Sequence, residues 1–312
     1  MRILITGSDG YIGSACVREF SRQGWNVRAT SRKPIKQPLL KSVENVYGLS
    51  LTDAVDWASY LKNVDAVLHL AAVVHRPDAS SIEYRRVNIE STERIAAAAE
   101  QSGVSQFIFL STISVYGQKA GVNPINESTP FAPDNAYSES KVDAEALIVK
   151  IANGSRMAWT ILRPPLVYGP NAPGNFRRLV KMIQAGVPLP LAAANQPRSY
   201  IGLDNLVSAI MRTATHQKAR NQGFVVSDGQ DISTSDLISL VAKALGCRSR
   251  LWWMPELAIR TAATLAGRSA DASKLFDSLQ IDSTKIRHQL GWAAPIPLEE
   301  GVHLAVQHSG VT

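Results

Sequence analysis

The chain has 312 residues, enough for one large α/β domain with a smaller part appended. Hydrophobic residues make up 45% and charged residues 19%, a balance that excludes wholesale disorder. The net charge of +7 admits either a nucleic-acid surface or an anionic small-molecule ligand. The cations are scattered, with neither a long like-charge run nor an aromatic–basic stacking motif, so the small molecule is expected and nucleic acid is not. The two cysteines, Cys16 and Cys247, form no CxxC pair, which excludes a zinc or disulfide framework and fits free thiols in a reducing cytoplasm.

The N-terminus, MRILITGSDG, reads as a strand and not as a secretory leader. Tyr11–Gln23 then has helical spacing, with Ile12, Cys16, Val17 and Phe20 on one face. Asn26–Thr30 predicts the next strand, and the tightest basic group, Arg28, Arg32, Lys33 and Lys36, lies in and after it. Ala66–Leu70 and Gln106–Leu110 are short apolar runs of the kind covered on both faces, separated by a long alanine-rich helix over Ile82–Gln101. Ala136–Ile151 predicts a helix and Met157–Leu162 a strand. This alternation implies βαβ units and a parallel, doubly wound sheet. After Arg163 prolines crowd the sequence, which places a boundary near residue 170: a dinucleotide-binding part over 1–170 and a smaller α/β substrate part over 171–312, with 198–215 free to pack back on the first. The apolar stretch Leu251–Gly267 contains Pro255, Glu256 and Arg260 and is too short and charged to span a bilayer.

Chemistry enters at the glycine turn. Gly7, Gly10 and Gly13 follow the first strand and open the first helix. In that position glycines serve a tight turn, close approach to a pyrophosphate and close helix packing, while the free N–H groups around Gly10, Tyr11, Ile12 and Gly13 face the phosphates. The second strand ends Ala29-Thr30-Ser31-Arg32 and offers no carboxylate for a ribose 2′-hydroxyl. Ser31 and Arg32 suit a 2′-phosphate instead, so NADP(H) is the expected cofactor and NAD(H) the alternative.

Tyr137 and Lys141 stand four apart, hence on one helix face. A free tyrosine titrates near ~10, and a neighbouring ammonium is expected to bring it toward the working range. The pair is common by chance on helix surfaces. It gains meaning here from the glycine turn upstream and from Ser111, Thr112 and Ser114 at the end of a strand, where such sheets bind ligands.

These residues together resemble the extended short-chain dehydrogenase/reductases of the nucleotide-sugar epimerase/dehydratase group. The resemblance rests on TGSDGYIG at 6–13, HLAA at 69–72, STISVYG at 111–117, YSESK at 137–141 and LRPPLVYGP at 162–170. It implies a Rossmann fold, proton transfer by Tyr137, a Lys141 that also holds the nicotinamide ribose, a catalytic hydroxyl at Thr112, and a cofactor lined by the backbone of Leu70, Ala71 and Ala72. The segments 194–210, 224–237 and 278–292 resemble, less sharply, bacterial O-antigen enzymes that reduce or epimerise UDP-N-acetylated sugars at C4. They imply diphosphate contacts from Asn175 and Arg198, with His75 and Ser114 facing the sugar.

Three departures qualify the match: no Gly-Asp follows the third strand, Leu166 stands where epimerases commonly have Asn, and Ile113 and Ser114 replace the acidic pair of the dehydratases. The primary expectation is therefore an NADP(H)-dependent reductase of a UDP-linked 4-keto-6-deoxy-N-acetylhexosamine, in bacterial surface polysaccharide synthesis. The alternative is an NAD-using UDP-hexose or UDP-N-acetylhexosamine 4-epimerase. A non-catalytic nucleotide sensor on the same scaffold is the reading from another class. A cytoplasmic homodimer with no bound metal is expected in either enzymatic case.

Overall fold

The computed structural model describes residues 1–33, 42–74, 80–117, 123–265, 272 and 275–307. The chain opens with β1 (Arg2–Thr6), α1 (Tyr11–Arg22), β2 (Asn26–Ser31), β3 (Val43–Tyr47), α2 (Trp57–Leu61) and β4 (Ala66–His69). There follow α3 (Ser81–Tyr84), a π-helical segment Arg85–Glu90, α4 (Ser91–Gln101), β5 (Gln106–Leu110) and a 3₁₀ turn Ile113–Tyr116. Helix α5 (Ala136–Ala152), β6 (Ala158–Arg163), β7 (Leu166–Tyr168), α6 (Asn175–Gln184), β8 (Pro197–Gly202) and α7 (Leu203–Thr215) come next. The last described elements are β9 (Gln222–Val225), β10 (Asp231–Ser233), α8 (Thr234–Ala244), α9 (Glu256–Leu265), α10 (Thr284–Leu290) and α11 (Leu298–Gln307).

Seven strands form one parallel sheet in the order β3-β2-β1-β4-β5-β6-β9. Alternate residues of each strand feed opposite faces, as the pleat requires. Ile3 and Ile5 pack with Cys16 and Phe20 of α1, Leu206 and Ile210 of α7, and Ile286 of α10. Leu4, Phe107 and Phe109 pack with Trp57 of α2, Ile95 of α4 and Ile148 of α5. Each large side chain wholly withdrawn from water contributes about 1.5–3 kcal/mol. Burial on both faces explains why these strands read as continuous apolar runs.

A second, three-stranded sheet, β10-β8-β7, packs with α6, α8 and α11 over Tyr168, Phe176, Ile238 and Val302. Helix α7 and strand β9 come from beyond residue 170 and lie on the large sheet. The buried Tyr168 hydroxyl donates to Asp228 at 2.7 Å, and Asp228 also accepts from Asn205 Nδ2 at 2.7 Å and Gly202 N at 3.1 Å. Asn205 in turn exchanges two backbone bonds with Ile296. This polar hub ties β7, α7 and the segment before α11 together.

The helix expected over Ile82–Gln101 is not one regular helix. It widens into the π segment, which aims Asn88 inward. Asn88 accepts from Val73 N at 2.8 Å, and its amide donates to Val73 O and Ser140 Oγ, both at 3.0 Å. Single π turns of this kind commonly re-aim a side chain at a functional site.

Candidate active site

All strands of the large sheet run the same way, so Thr6, Ser31, His69 and Leu110 end on one edge. After β3 the chain returns across β1 to β4, which makes the gap between β1 and β4 the switch point where such sheets bind ligands. Gly7 occupies it with φ +67°, and a Cβ there would stand 2.9 Å from the backbone of Ala71. A Cβ on Gly13 would stand 2.1 Å from Gly7 O, so α1 can lie this close to the turn only with glycine. The first intrahelical bond runs from Ser14 N to Gly10 O, which leaves the N–H groups of Tyr11, Ile12 and Gly13 in the unbonded first turn, aimed out of the helix end. This cradle fits a dinucleotide pyrophosphate.

Beneath the cradle lies a buried relay. Thr92 Oγ1 donates to Asn88 O at 2.7 Å, so it accepts from His69 Nε2 at 2.9 Å. His69 Nδ1 is then the acceptor for the Thr6 hydroxyl at 2.7 Å, and Thr6 Oγ1 accepts from Leu70 N and Ala71 N, each at 3.2 Å. The relay requires a neutral ring, and burial, followed by the Lys141 cation, pushes His69 down to about 3. Unfolded histidine titrates near ~6.5. The stabilisation is therefore complete above that value and lost as pH falls through about 3. In chemical denaturation between these limits, His69→Gln should show a flatter pH dependence than the parent. Parallel curves would remove His69 as the source.

At the end of β5, Ser111 is buried with its hydroxyl unpartnered among the described residues. Thr112 caps the 3₁₀ turn, accepting from Ser114 N at 3.2 Å and donating to Ser114 Oγ at 3.3 Å. Helix α5 starts with a reciprocal cap between Asn135 and Ser138, which fixes the first turn. Tyr137 is in that turn, buried and hydrogen-bonded to Thr112, with its ring 6.2 Å from that of Tyr84. One turn on, Lys141 Nζ donates to Leu110 O at 2.9 Å and lies 4.4 Å from the Phe109 ring centre. Burial pushes Lys141 down to about 8, opposed by the charge of Glu145.

The expected lowering of the phenol differs in this structure. Burial raises Tyr137, and the bond to Thr112 pulls the other way. The ammonium is engaged by the Leu110 carbonyl, because a buried cation needs an acceptor.

A further turn along α5 places Glu145 against Arg163. The guanidinium Nε bonds both carboxylate oxygens at 3.0 and 3.1 Å, Nη2 bonds one at 2.6 Å, and Nη1 donates to Tyr116 at 3.0 Å. Both side chains are nearly inaccessible, at 9% and 4% exposure.

The other residues singled out in the sequence sit as follows. Ser31 is buried and donates to Lys33 O at 2.6 Å, while Arg32 is exposed just past β2. Arg28, grouped with it in sequence, faces Glu44 at 2.9 Å and the carbonyl of Tyr60. Leu70 and Ala71 direct their N–H groups to Thr6 Oγ1, and the Ala71 backbone stands against Gly7 of the cradle. Asn175 is the exposed first residue of α6. Arg198 lies on β8, where it donates to Asp277 O and is hydrogen-bonded to Tyr200. His75 and Lys36 fall outside the described residues. Among the described residues no cluster of His, Cys, Asp and Glu could hold a metal, and no helix is long and apolar enough to cross a membrane.

The profile of the NAD dependent epimerase/dehydratase family matches residues 3–227. The chain belongs to that family. A UDP-glucose 4-epimerase of Vibrio cholerae is 34% identical over 314 residues, covering 98% of this chain and 94% of that protein. The N-acetyl-alpha-D-glucosaminyl-diphospho-ditrans,octacis-undecaprenol 4-epimerase of Escherichia coli O157:H7 is 26% identical and covers 99% and 95%. Among solved structures, MoeE5 in complex with UDP-glucuronic acid and NAD superposes with a TM-score of 0.82 at 26% identity, over 99% of each chain. The α/β fold and the assignment to an enzyme of the extended short-chain dehydrogenase/reductase type follow, and the sensor reading is set aside.

Proposed function

We propose that this family member is an NAD-using 4-epimerase of a UDP-linked hexose or N-acetylhexosamine. The observation that supports it most is the end-to-end similarity to the V. cholerae UDP-glucose 4-epimerase. The epimerase alternative is thereby preferred to the reductase, the primary expectation from sequence. NAD supplies a hydride acceptor and donor at C4 when bound. Tyr137 is proposed to take the C4 hydroxyl proton and to return it, within the reach that a hydroxyl bonded to Thr112 allows. Thr112 and Ser114 orient the reacting oxygen, the Ser111 hydroxyl, unpartnered among the described residues, offers one further bond beside it, and Lys141 keeps a positive charge under the site. Asn175, Arg198 and His75 are proposed on the diphosphate and sugar, with the smaller sheet as the cap over the substrate. A homodimer in the cytoplasm remains part of the same proposal.

Incubation with UDP-glucose and NAD should yield UDP-galactose with no net change in nicotinamide absorbance. Stoichiometric NADPH consumption with a UDP-4-keto sugar, and no interconversion, would establish the reductase instead. One observation favours that second reading: β2 ends without a carboxylate and with Arg32 exposed. Arg32→Ala should weaken NADP(H) by about 1.5–3 kcal/mol, the worth of a charge-assisted contact, and leave NAD(H) nearly unchanged. Calorimetric titration with both dinucleotides measures this, and an equal loss for both removes Arg32 from the 2′-phosphate.

A further inference from the structure

We propose that the face formed by Trp252, Trp253 and helix α9 docks on the surface of an anionic phospholipid bilayer. The inference is independent of the 4-epimerase reading.

No side chain of α9 is fully buried: Ile259 packs half-buried on the core of the smaller sheet and Arg260 lies against Phe276, while most of the rest of the helix faces outward. Leu257 is 77% exposed and Leu265 86%, with Trp253 at 68% and Trp252 at 45% just before the helix. Four large apolar side chains exposed within one short stretch, 252–265, point to an interaction site, whereas a single exposed leucine does not. The stretch is held to the turn after α6 by backbone bonds from Leu189 N to Arg250 O at 2.9 Å and from Trp252 N to Leu189 O at 3.0 Å. That turn adds Val187, itself 41% exposed.

Charge selects the partner. Arg248 and Arg250 are exposed beside the tryptophans, and the guanidinium of Arg250 lies against Gly186 at the end of α6. Helix α6 presents Arg177, Arg178 and Lys181, all exposed. No carboxylate occurs over 174–203 or over 237–255, so these cations have no acid in their own segments. Arg260, by contrast, is engaged by Glu256 and Asp277, each at 2.6 Å.

Tryptophan and leucine beside arginines that have no ion pair among the described residues are the signature of an element lying in the plane of a membrane interface. Tryptophan rings favour the headgroup level, and the cations favour anionic lipid. A second copy of this chain would bring the same cations face to face, which opposes self-pairing.

The full chain should co-sediment at low ionic strength with vesicles of phosphatidylcholine mixed with phosphatidylglycerol, and much less with phosphatidylcholine alone. Its tryptophan emission should shift to the blue on binding. The double substitution Trp252→Ser, Trp253→Ser should weaken vesicle binding about tenfold or more. Arg248→Ser with Arg250→Ser should weaken it about tenfold and flatten its salt dependence. Both variants should keep the parent's thermal transition and its turnover of soluble substrate. Absence of binding to the mixed vesicles, or binding unaffected by both pairs, would overturn the proposal. Self-association in sedimentation equilibrium that the tryptophan pair abolishes, without vesicle binding, would overturn it as well and assign the face to a second copy.

Discussion

Tyr137→Phe is expected to lower turnover by roughly 10²–10⁴, the usual worth of a positioned acid–base group. The substitution removes one oxygen and keeps the ring that packs beside Tyr84, so the fold should survive. The lost bond to Thr112 costs about 0.5–1.5 kcal/mol at most, far less than the stability of a domain of this size. Cofactor affinity should change little, since the proposed work of the phenol is on the sugar oxygen. The measurement is steady-state turnover of UDP-glucose together with circular dichroism and dinucleotide titration. Near-parental turnover in a folded variant would reduce YSESK to a packing feature of α5 and end the site assignment.

Glu145→Gln should produce the largest loss of stability of any single polar change considered, about 3–5 kcal/mol. The reason is the environment of Arg163, which stays buried and charged when its carboxylate is removed. Glutamine can still accept one of the three guanidinium bonds, which places the loss toward the lower end. A second effect reaches the active site. Glu145 holds the titration of Lys141 up against burial, so without it the lysine titrates below about 8. The cation is lost as pH rises through that value, and the alkaline fall in turnover should therefore begin at lower pH in the variant. Guanidinium denaturation measures the first effect and a pH–rate profile the second. Stability within about 1 kcal/mol of the parent would mean that the pair is solvated and replaceable.

Tyr137 and Lys141 announce themselves because four residues is one helical turn, a distance the local backbone guarantees. Glu145 continues the same face by another four. A carboxylate on the buried side of a helix was therefore a visible signal, but its partner lies 18 positions away on β6. Asn88 was hidden for another reason. It sits in an alanine-rich stretch of helical pattern, and no local residue marks the π segment that turns it toward Val73 and Ser140. His69 lies wholly in the core. Its hydrogen-bonded relay from Thr6 to Thr92 spans residues far apart in the chain.

Local spacing along the chain was enough for the strand–helix alternation of the first half, the glycine cradle, the α5 pair and the hydroxyl cluster after β5. Each is set by spacing within about one turn or one strand, where backbone geometry leaves few choices. The sequence left 198–215 free to pack back, and α7 does so; tertiary structure alone decided that β9, from beyond residue 170, joins the large sheet. It also decided that Arg163 is neutralised by α5, that Lys141 finds the Leu110 carbonyl, and that Ser31 turns to Lys33 while Arg32 stays exposed. Those outcomes rest on which buried polar group reaches which partner, and that is fixed by desolvation and packing between elements distant in the chain.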